Sequence, residues 1–200
     1  MIEQGSQSWH DEKLGVITGT RAYELMSSNI TRRTLLATLI REIVTADAKH
    51  FDSKRLQTGR NSEPEAVSYY SMMNNVEVTD QTAYIESTLH PMFACSPDGL
   101  IGDDGGYEGK SLDDENHIKM LLGATPDKAY VMQCHWCMYI TARQWWDLHY
   151  HCETLPDSMK SHVIRIGRDE TIMAEMDTQA KAMLADLTTF LNKHGLGGLL

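Results

Sequence analysis

The chain has 200 residues, 42% of them apolar, which suits one compact domain whose core needs neither disulfides nor a structural metal. Its 28 acidic residues against 18 basic ones leave a formal net charge of −10, which argues against a protein that coats nucleic acid by neutralising phosphates and is compatible with an enzyme that gathers carboxylates around divalent cations. No apolar run is long enough to span a bilayer and the opening MIEQGSQSWH lacks the pattern of a signal peptide, so a cytoplasmic protein with Cys95, Cys134, Cys137 and Cys152 as reduced, buried thiols is expected.

Leu36, Leu39, Ile40 and Ile43 recur at helical spacing and predict a long helix over about 34–49. Ser62 and Glu65 form a capping box with Pro64 in the first turn, predicting a second helix with Glu63 at its start and Ala66, Tyr69, Tyr70 and Met73 on one face. After Asn75 the pattern changes to short β segments over 76–80, 82–87, 91–101 and 106–112, the last two separated by the turn Gly102-Asp103-Asp104-Gly105-Gly106. A helix over 127–141 carries Gln133, Cys137 and Ile140 along one side, and strands follow within 144–153 and 161–167. A closing helix over 169–193 buries Met176, Ala180, Met183, Leu184, Leu187 and Leu191. This order describes an α/β domain with a central mixed sheet flanked by helices.

The stretch with most chemical content is Ser96-Pro97-Asp98-Gly99, followed across the turn by Glu108-Gly109-Lys110. Strand alternation puts Glu108 and Lys110 on one face, and the hairpin can bring Asp98 beside them. Two carboxylates and an ammonium then converge, a set suited to a hard cation such as Mg²⁺ or Mn²⁺ and to stabilising charge on a phosphoryl group. Taken alone, the same residues also read as a turn aspartate and a solvated ion pair.

A reading of a different class is open as well. Cys134-His135-Trp136-Cys137 with His149, His151 and Cys152 offers ligands for a zinc-stabilised nucleic-acid-binding module. Against it, strand alternation sends His149 and His151 to one face and Cys152 to the other. Arg32 and Arg33, beside a helix start, are candidate contacts to a DNA backbone or minor groove.

Four ordered blocks resemble the lambda-type, YqaJ-like viral exonucleases of the PD-(D/E)xK nuclease superfamily. They are Glu3-Gln4-Gly5 through Trp9-His10 to Leu14-Gly15-Val16-Ile17-Thr18, then Gly59 with Glu63 and Ala66, then Ala94-Cys95-Ser96-Pro97-Asp98-Gly99-Leu100, then Tyr130 to Gln133. The resemblance implies a single restriction-endonuclease-like domain that digests one strand of linear double-stranded DNA from 5′ to 3′ to mononucleotides, with two Mg²⁺ or Mn²⁺ ions. Glu63 and Asp98 would share one ion, while Asp98, Glu108 and the carbonyl of Gly109 would hold the other. Lys110 would orient the attacking water with Gln133 nearby, and Lys13, Thr20 and Ser96 would grip the 5′-phosphate. Lys13 and Thr20 stand where the best-known member has arginine and serine, and a lysine offers phosphate a point charge in place of a planar fork. The same resemblance implies a ring-shaped homotrimer, a single-strand annealing protein as partner and the cytoplasm of a phage's bacterial host. A sequence- or structure-dependent DNA endonuclease of the same fold is the nearest alternative.

Overall fold

The computed structural model describes residues 12–47, 54–81 and 84–200, with backbone alone over 54–63. A 3-10 turn, Gly19–Arg21, leads into the short helix α1 (Ala22–Leu25), and α2 (Asn29–Thr45) and α3 (Lys54–Asn74) follow. A small antiparallel pair, β1 (Ile85–Glu86) and β2 (Ala94–Cys95), precedes β3 (Gly99–Ile101) and β4 (Gly105–Ser111). Then come α4 (Asp114–Leu121), α5 (Lys128–Thr141), β5 (Trp145–His151), β6 (Ser161–Gly167) and α6 (Glu170–Lys193). The main sheet has the order β3-β4-β5-β6; β4 and β5 are parallel and the two outer pairings antiparallel. A parallel pair needs a crossover, and α4 with α5 supplies it.

Capping residues set the helix starts. Ser28, Asp113, Asp127 and Asp169 each accept a backbone N–H of the first turn, and α2 and α5 end at Ala46 and Ala142 in the left-handed region. Alternation along β5 then divides the interior. Trp146, Leu148 and Tyr150 join the main core with Trp136 and Met138 of α5 and Met173, Met176 and Leu187 of α6. Tyr70 of α3 rings with Tyr107 and His149 on the other face, where Val67, Val78 and Ile101 close a second cluster. Each fully buried large apolar side chain contributes about 1.5–3 kcal/mol.

The observed elements depart from the sequence reading at several points. α2 begins at Asn29, because Ser28 is the residue whose side chain accepts from the Thr31 N–H, and it buries Leu35, Leu39 and Glu42, with Leu36, Ile40 and Ile43 only partly covered. α3 does not start at Ser62: it starts at Lys54 and carries Pro64 inside, so Glu63 is not at a helix start. Proline's fixed φ is helical, and its cost is one hydrogen bond and a clash with the preceding turn, which the helix absorbs. Ala66 and Tyr70 are buried on its inner face, but Met73 is 60% exposed. The segment 76–80 forms no strand and touches the sheet at a single bridge, Thr79 to Leu100. Gly105 and Gly106 belong to β4, because the Trp145 and Trp146 side chains lie against them so closely that a Cβ at either would overlap an indole ring. Among the described residues no helix is long and apolar enough to cross a membrane.

Candidate active site

β4 presents Glu108 and Lys110 toward α5, as alternation requires. Lys110 Nζ donates to Glu108 Oε1 at 2.5 Å, and Gln133 Nε2 of α5 donates to the same oxygen at 2.6 Å. Gln133 Oε1 in turn accepts from Lys110 Nζ at 3.5 Å, closing a triangle. Asp98, in the bend before β3, is held by the backbone: its Oδ2 accepts from the Gly109 N–H at 2.9 Å. The structure thus brings Asp98, Glu108, Gly109, Lys110 and Gln133 together. The Lys110 ammonium also lies 4.8 Å from the centre of the Tyr130 ring.

Burial and neighbouring charge oppose each other at this centre. Burial raises the Asp98 carboxyl above the ordinary carboxylate range against the opposing pull of Lys110, the Gly109 N–H, Glu108 and Lys13. At Lys110 burial works to depress the ammonium, but the charges of Glu108 and Asp98 and the Glu108 hydrogen bond outweigh it and raise the group. Lys110 therefore stays protonated. Burial pulls the Lys13 ammonium down to about 7, helped by Arg21 and resisted by Cys95, Cys137 and Asp98.

Lys13 reaches this centre because residues 13–20 are folded against it. Ile17 pairs with Phe93, its N–H donating to the Met92 carbonyl at 2.8 Å and its carbonyl accepting from Ala94 N–H at 3.1 Å. Gly19 sits against α5 so closely that a Cβ there would stand 3.1 Å from Gln133 Cγ. Thr20 is exposed, its hydroxyl 3.2 Å from that of buried Thr18. The Ser96 hydroxyl is buried with no hydrogen-bond partner among the described residues.

Other sequence-predicted residues stand elsewhere. Arg32 and Arg33 line a cleft of about 310 Å³ between α2 and α6, with Gln179 and Asp186 on its other wall, and Arg32 donates to Gln179 and Asn29. The side chain of Glu63, and the block Glu3 to His10, lie outside the described residues. The zinc module is overturned by placement. Cys134 and Cys137 belong to the main core on one face of the sheet, while His149 meets Tyr70 and Tyr107 on the other. No group of three or more His, Cys, Asp or Glu converges as a metal site among the described residues.

Two features escaped the sequence reading. Glu42, inside the apolar stripe of α2, is 4% exposed and ion-paired to Arg21 at 2.6 Å. Its signal was an acidic residue one turn after Leu39, on the buried face. Tyr130 was visible as part of a motif, but its ring contact with Lys110 depends on how α5 crosses β4. The donor set at the centre fits a hard divalent cation in kind, since Asp98 and Glu108 offer oxygens and Mg²⁺ commonly takes one or two carboxylates besides water and substrate.

The model of the YqaJ-like viral recombinase domain matches residues 8–144. Among curated proteins nothing matches. Among solved structures the chain is similar to the alkaline exonuclease LHK-Exo from Laribacter hongkongensis, at 30% identity and a TM-score of 0.87 over 98% of this chain and 100% of that one. It is similar to LHK-Exo in complex with dAMP at 30% identity and a TM-score of 0.86, over 94% of this chain and 95% of that one. A phage related exonuclease from Haemophilus somnus 129PT shares the fold, with 11% identity and a TM-score of 0.72 over 90% of this chain and 96% of that one. The mixed sheet flanked by helices is the architecture common to them.

Proposed function

The chain belongs to the YqaJ-like viral recombinase family, and from that premise we propose that it is a metal-dependent exonuclease that digests one strand of linear double-stranded DNA from 5′ to 3′, releases 5′-mononucleotides and leaves a 3′ single-stranded tail for phage recombination. The observation that carries this reading is the convergence of Asp98, Glu108, Lys110 and Gln133 at the end of the β3-β4 hairpin. The exonuclease neighbours support it, and the dAMP complex of LHK-Exo agrees with a mononucleotide product.

In this reading Asp98, Glu108, Glu63 and the Gly109 carbonyl would hold two divalent ions, Mg²⁺ or Mn²⁺. Such an ion, when bound, polarises a phosphoryl oxygen and lowers the pKa of water. Lys110, kept charged by its carboxylate neighbours, orients the attacking water and faces the charge that develops on phosphorus. Gln133 fixes the Glu108 carboxylate so that its second oxygen keeps one direction. Lys13, Thr20 and the Ser96 hydroxyl, which has no partner among the described residues, grip the 5′-phosphate of the strand being digested, and Arg32 and Arg33 touch the DNA backbone or minor groove. The whole chain acts as one nuclease domain in a homotrimeric ring, in the cytoplasm of a phage's bacterial host, beside a single-strand annealing protein. A ring explains how a protein of net charge −10 stays on DNA, since enclosure replaces tight electrostatic binding.

The test is digestion of a linear duplex labelled separately at each strand's 5′ and 3′ end, with and without Mg²⁺, beside a closed circle and the Lys110→Ala protein. Early Mg²⁺-dependent loss of the 5′ label from linear DNA alone, absent in the variant, is expected. Cutting of the circle would mean an endonuclease of the same fold, and undiminished activity in Lys110→Ala would remove the assigned centre.

A further inference from the structure

Glu42 is a buried carboxylate in an apolar helix face, a placement that costs stability unless its oxygens are satisfied. Both are. Oε2 accepts from the Gly15 backbone N–H at 3.0 Å, and Oε1 accepts from Arg21 Nη2 at 2.6 Å with Arg41 Nη2 at 3.6 Å. Arg21 passes the connection on: its Nη1 donates to the Val16 carbonyl at 2.7 Å. Residues 15, 16 and 21 are thus tied to one carboxylate of α2. Gly15 turns the chain there with φ at +71°, hard against Ile43. The bound segment is the one that carries Lys13 and Thr20 at its two ends, and its middle is stitched to Phe93 and Ala94, just before Ser96.

We propose that Glu42 and Arg21 are a positioning pair that presets the 5′-phosphate grip, acting on the grip's residues through the backbone and not touching the DNA. The inference rests on the reading of Lys13, Thr20 and Ser96 as phosphate contacts. The physical reason is preorganisation. A segment already fixed by a buried ion pair loses little freedom when an end docks, whereas a loose one must be ordered at the expense of affinity. The pair therefore governs capture of the end, while the Asp98, Glu108 and Lys110 centre governs the chemical step. Loss of the pair raises KM for 5′-phosphorylated ends and leaves kcat on saturating DNA unchanged.

The experiment measures KM and kcat on a linear duplex with 5′-phosphate and on the same duplex with 5′-hydroxyl, for the wild type, Glu42→Gln, Arg21→Gln and Lys13→Gln. Wild type is expected to favour the phosphorylated end. Glu42→Gln and Arg21→Gln should raise KM on that end by about tenfold, the equivalent of one charge-assisted hydrogen bond, with kcat unchanged and KM on the hydroxyl end unmoved. The Lys13→Gln, Glu42→Gln double variant should be no worse than Lys13→Gln alone. A phosphate preference kept intact in the two single variants overturns the proposal, as does an equal loss of kcat on both ends, which marks mere support of the fold. Wild type without any preference overturns the phosphate grip itself, and the proposal with it, and that outcome is read from wild type alone. Should both glutamine variants fail to fold, Arg21→Lys, which keeps the charge and drops the fork to Val16, takes their place with the same criteria.

Discussion

Gln133 and Lys110 meet at one atom, Oε1 of Glu108, the first from α5 at 2.6 Å and the second from its own strand at 2.5 Å. Two donors on one oxygen leave the carboxylate no rotational choice. Gln133 thereby sets the direction in which Glu108 offers its other oxygen.

On the proposed reading of Glu108 as a metal ligand, Gln133→Leu is expected to lower activity by about 10- to 100-fold, the usual effect of removing a residue that orients such a carboxylate. Titrating activity against Mg²⁺ should show a higher requirement than wild type. An unchanged metal dependence would assign Gln133 to the fold alone.

Ser96→Ala removes a buried hydroxyl that has no partner among the described residues. Losing such a group costs the fold nothing, so the thermal midpoint should hold or rise slightly. The affinity for 5′-phosphorylated duplex, read by equilibrium binding with a catalytically silenced Lys110→Ala background, should fall by up to about tenfold, one hydrogen bond's worth to a charged group. A substantial fall in the thermal midpoint would show that the hydroxyl serves packing.

Gly15→Ala places a methyl group 2.5 Å from Ile43 Cγ1 at a φ of +71°. Strain of this kind costs about 1–3 kcal/mol. Denaturant unfolding should show the loss, and an unaltered midpoint would mean that α2 shifts to admit it.

His149 supplies a pH dependence. Its ring nitrogens lie 2.8 Å from the Tyr107 hydroxyl and 3.0 Å from Ser161 Oγ, and burial, with the neighbouring His151 and His117, brings its pKa down to about 3. The unfolded chain takes up this proton near pH 6.5 and the folded one only near 3, so the unfolded state binds more protons between those values. Stability is full above about 6.5 and falls as the pH drops toward 3, with a slope from this group of about 1.4 kcal/mol per pH unit. Unfolding free energies of wild type and His149→Gln between pH 6.5 and 4 should diverge by that slope, and parallel curves would assign acid sensitivity to other groups.

Elements governed by local chemistry were legible in the sequence. α5, β5, β6 and α6 fall within a residue or two of their expected bounds, since Asp127 and Asp169 cap visibly and the strands alternate cleanly. The sequence signals of α3 point to a later start than the helix has, because proline is a legitimate helix starter and only tertiary packing keeps a helix on both sides of it. α4, the short capped helix of the crossover, went unseen for want of a sustained apolar stripe. At the centre, alternation alone put Glu108 beside Lys110, whereas the link to Gln133 depends on how α5 lies across β4. Glu42 was missed because its partners, Gly15 and Arg21, are far from it in the chain.

The parallel pairing of β4 with β5 has a consequence for how the molecule matures. Every residue from Gly105 to Ser111 meets its β5 partner only after the chain has closed a loop through two helices, and such contacts form late because their entropy cost comes first. Glu108 lies at one end of that loop and Gln133 on its returning helix, so the carboxylate is clamped only when the crossover has docked. The Gln133 clamp is thus supplied by the crossover, whereas the Asp98 to Gly109 and Lys110 to Glu108 contacts lie within the hairpin itself.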